Sequence, residues 1–218
     1  SFDRSKKVLD DVTFTINPGE VVGIVGTTGS GKSTLINLLM RFYDGYSGEI
    51  LVDGHNIKNL DLSAYRDQIG FVQQEPMMFS DTIYNNIAYS NPNASVEDVI
   101  HAADIANAHE FIARQPDAYD TVLGERGVGV SGGEKQILNL ASVMITKPQV
   151  LVLDEPTCQL DPVWAERFIN VIKKLHRDFG TTVIIAEHLL GELYDCADSV
   201  MLVENGTVEA KTSSEKMI

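Results

Sequence analysis

The stretch "VVGIVGTTGSGKSTLINLL", residues 21–39, decides the fold of this 218-residue chain. Its first six residues are nearly all apolar and predict a buried strand of the parallel type. The glycine-rich loop that follows, residues 26–34, fits the pattern G-x-x-x-x-G-K-[ST]. Leucines at positions 35, 38 and 39 then predict one face of a helix. A buried strand, a glycine loop and a helix in this order predict a site for the phosphates of a nucleotide.

Each residue type in the loop has a physical reason to be there. The glycines let backbone N–H groups point at phosphates without a clash from Cβ. Lys32 supplies a positive charge to the β- and γ-phosphates, and the Ser33 hydroxyl is a natural ligand for Mg²⁺. The alternative is a glycine-rich turn with an incidental lysine, but the strand before and the helix after favour the nucleotide site. The predicted nucleotide-binding residues are Gly26, Thr27, Thr28, Gly29, Ser30, Gly31, Lys32, Ser33 and Thr34.

Two further apolar strands end in chemically active side chains. "QVLVLDEP", residues 149–156, ends in Asp154, predicted to hold Mg²⁺, and Glu155, predicted to orient or deprotonate the attacking water. His188 follows "TTVIIA" and is expected at the same carboxyl-end edge of the sheet, within reach of the γ-phosphate. The alternatives are that Glu155 only pairs with a neighbouring cation and that His188 is an ordinary surface residue.

The remaining strand signals complete an α/β pattern. Residues 12–16, "VTFTI", alternate apolar and polar side chains and predict a half-buried strand, and "GEILVDG" at residues 48–54 predicts another. "SVMLVENGTVEA" predicts a hairpin around Asn205 and Gly206. Strands that alternate with helices predict an α/β fold with a mostly parallel central sheet.

The middle of the chain has a different pattern. Between about residues 80 and 141 the periodicity is helical, with Ser95 and Asp98 forming a capping-box signature. The sequence therefore predicts a core made of residues 1–79 and 142–218, with a helical subdomain inserted at residues 80–141.

Composition excludes some functions. A formal charge of −14 argues against a nucleic-acid partner, because phosphate backbones are bound by basic faces. No apolar run approaches the roughly 18 residues that span a bilayer, so direct membrane insertion is not expected. The chain starts without Met and shows no signal segment, so we expect a domain of a longer polypeptide or a matured chain.

A second glycine turn, "VSGGE" at residues 130–134, opens another predicted helix. Ser131 and the amides of Gly132 and Gly133 at a helix N-terminus predict a second anion site. In this order the motifs resemble the nucleotide-binding domain of an ATP-binding cassette (ABC) transporter. The glycine loop corresponds to that family's Walker A motif, "LVLDE" to Walker B, "VSGGE" to the signature loop, "CQLD" to the D-loop and His188 to the switch histidine.

Two more residues enter only through the resemblance. Gln74 in "FVQQEP" matches the family's Q-loop glutamine, which contacts Mg²⁺ and water and senses the transmembrane partner. Phe2 lies where the family places an aromatic side chain that stacks on adenine. The resemblance implies Lys32, Gln74, Glu155 and His188 as catalytic residues and Ser33, Gln74 and Asp154 as Mg²⁺ contacts.

The resemblance also implies the fold, cofactors and partners. It implies a P-loop NTPase core with an N-terminal antiparallel β part, the helical subdomain inserted, and ATP and Mg²⁺ as cofactors. Two such domains pack head to tail, so that each ATP lies between one glycine loop and the partner's signature loop. The residues acting in trans are Ser131, Gly132, Gly133 and Glu134. Hydrolysis then powers transport through transmembrane domains, and the nucleotide-binding domain lies on the cytoplasmic side of the membrane. Residues 74–79 and 125–126 are expected to contact the transmembrane domains.

Departures from the family pattern leave alternatives open. Val130 replaces the usual Leu, Glu134 a common Gln, and Cys158 with Gln159 the small residues that commonly precede the D-loop Leu-Asp. "FVQQEPMMFSDTIYNNIAY" resembles exporters, whereas "AEHLLGELYDCADSVMLVENG" resembles importer ATPases of the energy-coupling type, as in a chimera. The alternative functions are a soluble non-transport ABC ATPase and a regulatory or engineered nucleotide-binding module with little hydrolysis.

Overall fold

A central sheet organises the molecule in the computed structural model, which describes residues 8–188, 190–193 and 196–213. The strands are β1 (Val21–Val25), β2 (Leu51–Val52), β3 (His55–Asn56), β4 (Ile69–Val72), β5 (Val150–Asp154), β6 (Thr182–Glu187), β7 (Ser199–Glu204) and β8 (Thr207–Ser213). The central sheet has the order β4-β5-β6-β1-β7-β8; its strands pair in parallel except for β8, which is antiparallel to β7. A separate antiparallel sheet joins β2 and β3. The predicted α/β fold with a mostly parallel sheet is confirmed.

Some helices of the described residues begin at a side-chain cap, and others do not. The helices are α1 (Lys32–Leu39), α2 (Leu62–Asp67), α3 (Ile83–Ala88), α4 (Val96–Ile105), α5 (His109–Ala113), α6 (Gly132–Met144), α7 (Pro162–Phe179) and α8 (Leu190–Leu193). Ser95 and Asp98 form the predicted capping box of α4. Asp161 caps α7, and Gly180 ends it in the left-handed conformation with φ of 63°. Within the described part of the chain, no helix is long and apolar enough to cross a membrane.

The apolar character of β1 follows from burial on both faces. Val21 and Val25 pack in a cluster with residues of α6 and α7, such as Leu138 and Phe168. Val22 and Ile24 face the opposite side and pack with Leu35 and Ile36 of α1. A strand covered on both faces has no polar side to alternate with, which explains the continuous apolar run.

The prediction of a strand at residues 12–16 is wrong. Val12, Phe14 and Ile16 are half-buried against an apolar cluster, so the predicted alternation of burial is present. However, these residues belong to neither sheet, and the antiparallel pairs among the described residues are β2 with β3 and β7 with β8. The alternating pattern reports which side chains face the core, but a strand also needs a neighbouring backbone for its hydrogen bonds.

The helical middle of the chain folds as the periodicity indicates. α3, α4 and α6 pack on one another, and in the described residues between 80 and 141 the β-structure consists of an isolated bridge between Thr82 and Val122. α6 continues through residue 141 as far as Met144.

The sheet order brings the chemical motifs together. β6 lies between β5 and β1, with Asp154 opposite Ala186 and Val25 opposite Glu187. The segments that follow these parallel strands therefore emerge side by side at one edge, which is where open α/β sheets bind ligands.

Candidate nucleotide-binding site

Three predicted site residues form a triangle at this edge. The Lys32 Nζ atom lies 3.5 Å from Glu155 Oε1, and His188 Nε2 lies 2.8 Å from Glu155 Oε2. Lys32 Nζ is also 3.4 Å from His188 Nδ1. Because an ammonium group can only donate, Nδ1 accepts in this arrangement and Nε2 carries the proton donated to Glu155. The structure thus brings together a cation, a carboxylate and an imidazole from the segments that follow β1, β5 and β6.

The glycine loop wraps around the Lys32 ammonium. Lys32 is only 3% exposed, and its Nζ donates to the carbonyl oxygens of Gly26 at 2.7 Å and Thr27 at 3.4 Å. Gly31 has φ of 116°, a conformation that favours glycine. A Cβ at Gly26 would lie 2.2 Å from the Val203 carbonyl oxygen, so a side chain there is excluded. The conformation and the close packing of the loop therefore require glycine at these positions, in agreement with the predicted phosphate-binding loop.

The loop retains groups that fit a phosphate ligand. The N-terminus of α1 has no side-chain cap, so its leading N–H groups face a site without a capping oxygen. The Ser30 hydroxyl is buried and has no hydrogen-bond partner within the described chain. A buried cation, an uncapped helix N-terminus and an orphaned donor are the complement of an anionic oxygen cluster.

Ser33 and Asp154 fit the predicted contacts of a Mg²⁺ ion. The Ser33 Oγ donates to Asp154 Oδ1 at 3.3 Å. Burial raises the pKa of the Asp154 carboxyl, the nearby Glu155 charge raises it further, and the Ser33 hydrogen bond opposes both. Hydroxyl and carboxylate oxygens are hard ligands, and Mg²⁺ sites commonly combine one such carboxylate with substrate phosphates and waters. In the described residues no three His, Cys, Asp or Glu side chains cluster as a metal site.

Gln74 makes a contact that the sequence did not predict. Its Nε2 donates to the sulfur of Cys158 at 3.2 Å, and the neighbouring Glu75 accepts from Gln159 Nε2 at 3.3 Å. The loop after β4 thus touches the loop after β5. No hydrogen bond between described residues joins Gln74 to Ser33 or Asp154, and its role as a Mg²⁺ contact stays a prediction.

Glu155 has a strained backbone. It follows β5 with φ of 48°, in the left-handed region that non-glycine residues rarely adopt, and its N–H donates to the Ala186 carbonyl at 2.9 Å. Such conformations persist where the surroundings over-determine them, and they concentrate at functional sites. The direction of the Glu155 side chain is therefore set by this turn rather than by strand alternation.

Two buried polar residues beside this turn were missed from the sequence. Glu187 Oε1 accepts from the backbone N–H of Thr157 at 3.1 Å and from its hydroxyl at 2.7 Å. Gln136 Nε2 donates to the Pro156 carbonyl at 2.8 Å. A usable signal existed for Glu187, because a charged residue closes an otherwise apolar buried strand in "TTVIIAEH".

The second glycine turn forms a helix start of its own. Ser131 caps α6, its Oγ accepting from the Glu134 N–H while Glu134 Oε2 accepts from the Ser131 N–H. A Cβ at Gly132 would meet nothing within 4 Å, whereas one at Gly133 would lie 2.2 Å from the Trp164 ring. Among the described residues no hydrogen bond or ion pair joins this turn to the first glycine loop. Phe2, predicted to stack on adenine, lies outside the described residues.

Comparisons with known proteins agree with this arrangement. The family model described as "ABC transporter" matches residues 9–158. Two similar proteins, from Staphylococcus aureus strains NCTC 8325 / PS 47 and COL, carry the name "Putative multidrug export ATP-binding/permease protein". Each is 45% identical over 214 residues, covering 98% of this chain and 36% of the relative.

A solved structure gives the same result. The structure of a bacterial Atm1-family ABC exporter with ATP bound superimposes with a TM-score of 0.90 at 36% identity, covering 100% of this chain and 37% of that one. The chain thus spans little more than a third of the length of these relatives. The matches extend through the C-terminal segment that resembles importers. The motif order, the meeting of the three strand ends and the family match lead to one conclusion: the chain belongs to the ABC transporter family.

Proposed function

We propose that the chain binds ATP with Mg²⁺ and hydrolyses it to ADP and phosphate. The observation that carries the proposal is the triangle of Lys32, Glu155 and His188, at 3.5, 2.8 and 3.4 Å, beside the uncapped glycine loop. A regulatory module that only binds nucleotide would not require a buried carboxylate between a lysine and a histidine.

Each residue has a distinct part in the proposed reaction. The Lys32 ammonium donates hydrogen bonds to two loop carbonyls in the structure, and in the proposed reaction it turns to the β- and γ-phosphate oxygens of ATP. Glu155 accepts a proton from the water whose oxygen forms the new bond to the γ-phosphorus, while the bond to the bridging β,γ-oxygen breaks. His188 holds the carboxylate through its Nε2 proton. Ser33 and Asp154 would hold Mg²⁺, which supplies positive charge to the phosphates when bound.

We further propose that Ser131, Gly132, Gly133 and Glu134 complete the nucleotide site of a second copy. Three observations support this: the turn opens a 13-residue helix, the Cβ position of Gly132 is open, and no described polar contact links the turn to its own chain's glycine loop. A helix N-terminus favours an anion, and a partner's γ-phosphate provides one.

The transport role is proposed by similarity. The relatives' names combine ATP binding with a permease, and we propose that this chain energises export through such membrane domains, at the cytoplasmic face of a membrane. Met77 and Phe79 are exposed apolar side chains in the segment 74–79, and Phe79 stacks on Tyr89 with ring centroids 4.3 Å apart. Exposed apolar groups of this kind mark partner surfaces. In this scheme residues 80–141 are the subdomain that carries the trans contacts, and the rest is the catalytic core.

Phosphate release tests the proposal directly. Wild-type chain with MgATP should release phosphate, and Glu155→Gln should bind ATP but turn over on the order of 10²-fold more slowly. Arg114→Gln, at an exposed ion pair remote from the triangle, is a control that should keep the wild-type rate. Wild-type chain that binds ATP without releasing phosphate would limit the function to nucleotide binding.

A further inference from the structure

We infer that Gln136 and Glu187 form a clamp that positions Glu155 for the proposed hydrolysis, and the inference rests on that function. Both residues are 2% exposed, and they reach the turn that follows Glu155 from different elements. Gln136 lies in α6, behind the second glycine turn, and Glu187 ends β6. Their hydrogen bonds go to Gln73, Pro156 and Thr157, so both act as positioning residues.

The need for a clamp comes from the backbone of Glu155. With φ of 48° it has left the strand conformation of β5, and a left-handed glutamate returns to a commoner conformation unless its flanks are fixed. On its N-terminal side β5 is fixed by pairing with β4 and β6. On its C-terminal side, Pro156 has no N–H, and the backbone bonds are those of a local turn, from the Cys158 N–H to the Glu155 carbonyl at 3.4 Å and from the Leu160 N–H to the Thr157 carbonyl at 2.9 Å. Buried side chains supply the contacts that tie this turn to neighbouring elements.

Glu187 holds Thr157, which lies two positions after Glu155. Its Oε1 accepts both the Thr157 N–H at 3.1 Å and the Thr157 hydroxyl at 2.7 Å, in a buried setting. Hydrogen bonds to a carboxylate are stronger than those between neutral groups. Because His188 directly follows Glu187, the same contact fixes the turn on which the His188 to Glu155 bond depends.

Gln136 holds the turn from the opposite side. Its Nε2 donates to the Pro156 carbonyl at 2.8 Å and to the Gln73 carbonyl at 3.4 Å. Because both neighbours are carbonyl oxygens, only the NH₂ end of the amide can face them, and the Oε1 atom is buried with no partner in the described chain. The unpaired oxygen indicates that the amide is placed for its two donors. α6, the loop before Gln74 and the turn after Glu155 are thereby joined through one side chain.

Variants that keep side-chain size test the clamp. Gln136→Met keeps the length of the side chain but leaves two carbonyls unpaired. Thr157→Val keeps the shape of the side chain but removes the hydroxyl, whereas Thr157→Ser retains the hydroxyl. We expect Gln136→Met and Thr157→Val to lower kcat roughly 10- to 100-fold, the scale of a small misplacement of a reacting group, with ATP affinity nearly unchanged. Thr157→Ser should return to the wild-type kcat. Ile112→Ala, a buried truncation in α5, controls for general loss of stability.

A second measurement separates positioning from independent damage. In the Glu155→Gln background, single-turnover rates should fall no further when Gln136→Met is added, because the positioned group is already disabled. Three results would each overturn the inference and leave the proposed function standing. The clamp variants could keep the wild-type kcat, Ile112→Ala could lower kcat as much as they do, or the rate loss from Gln136→Met could multiply with that from Glu155→Gln. A wild-type chain without hydrolysis would defeat the proposed function and the inference together.

Discussion

Gly132 and Gly133 offer a matched test of the second glycine turn, because the same substitution meets opposite surroundings at adjacent positions. A Cβ at Gly133 would lie 2.2 Å from the Trp164 Cδ2 atom and 2.3 Å from Cγ, whereas one at Gly132 would meet nothing within 4 Å. Neither glycine has a positive φ, so alanine fits both backbones. Carbon atoms in contact are about 3.5–4.0 Å apart, so Gly133→Ala must displace the indole or the start of α6 by more than about 1 Å.

The two variants should therefore differ in stability by about 1–3 kcal/mol, the usual scale of overpacking. Backbone entropy and helix propensity change alike in both, so their difference isolates the clash with Trp164. Urea unfolding followed by circular dichroism measures it, and the thermal midpoint should differ by roughly 2–4 °C per kcal/mol in a chain of this size. In a Trp164→Leu background the penalty at Gly133 should shrink, because the ring is gone. Equal stability of the two alanine variants would refute the packing argument.

Other residues of the site make further predictions. Lys32→Ala should weaken ATP binding by removing a charge-assisted contact, measured by calorimetry against wild type; equal affinities would contradict the phosphate-loop assignment. Burial raises the pKa of Asp154, so the folded chain keeps a proton where the unfolded chain has lost it, and stability falls as pH rises through that window. Asp154→Asn should therefore raise the melting temperature at pH 7 in chelator yet reduce stabilisation by MgATP; a melting temperature below wild type in chelator would contradict the sign. Crosslinkers at Met77 or Phe79 should capture the membrane partner, and capture at the β7–β8 hairpin instead would overturn the proposal that the segment 74–79 contacts this partner.

The fold, and the sheet edge at which Lys32, Glu155 and His188 meet, could be predicted because their determinants are local in sequence, whereas the direct contacts among the three side chains were not predicted. The glycine loop needs its residue types at fixed spacing, and the strands before Asp154 and His188 are apolar runs whose ends must meet once they pair in parallel. The prediction of a strand at residues 12–16 was wrong because the alternation of apolar and polar residues predicts which side chains are buried but supplies no pairing strand.

Contacts between distant segments were beyond reach of the sequence. Gln136 and Pro156 are 20 positions apart, and Thr157 and Glu187 are 30 apart. Nothing in the local pattern of "GEKQ" distinguishes a buried amide from a solvated one. Gly133 is a similar case: the anion-site hypothesis explained a glycine there through its amide, whereas the Trp164 ring gives it an independent packing reason.

The central claim is that two chains form each active site, and mixing two inactive variants tests it most directly. Lys32→Ala disables the glycine loop in both sites of its homodimer, and Ser131→Arg places a bulky cation at the start of α6 in both sites of its own. A heterodimer has one site with an intact Lys32 and an intact Ser131, so an equal mixture should regain roughly a quarter of the wild-type ATPase rate when sites act independently. The assay needs high protein concentration and excess MgATP, with heterodimers verified by a tag on one variant. Return of phosphate release on mixing is the result we predict, and an inactive mixture from two folded variants that do form ATP-dependent heterodimers would contradict the account.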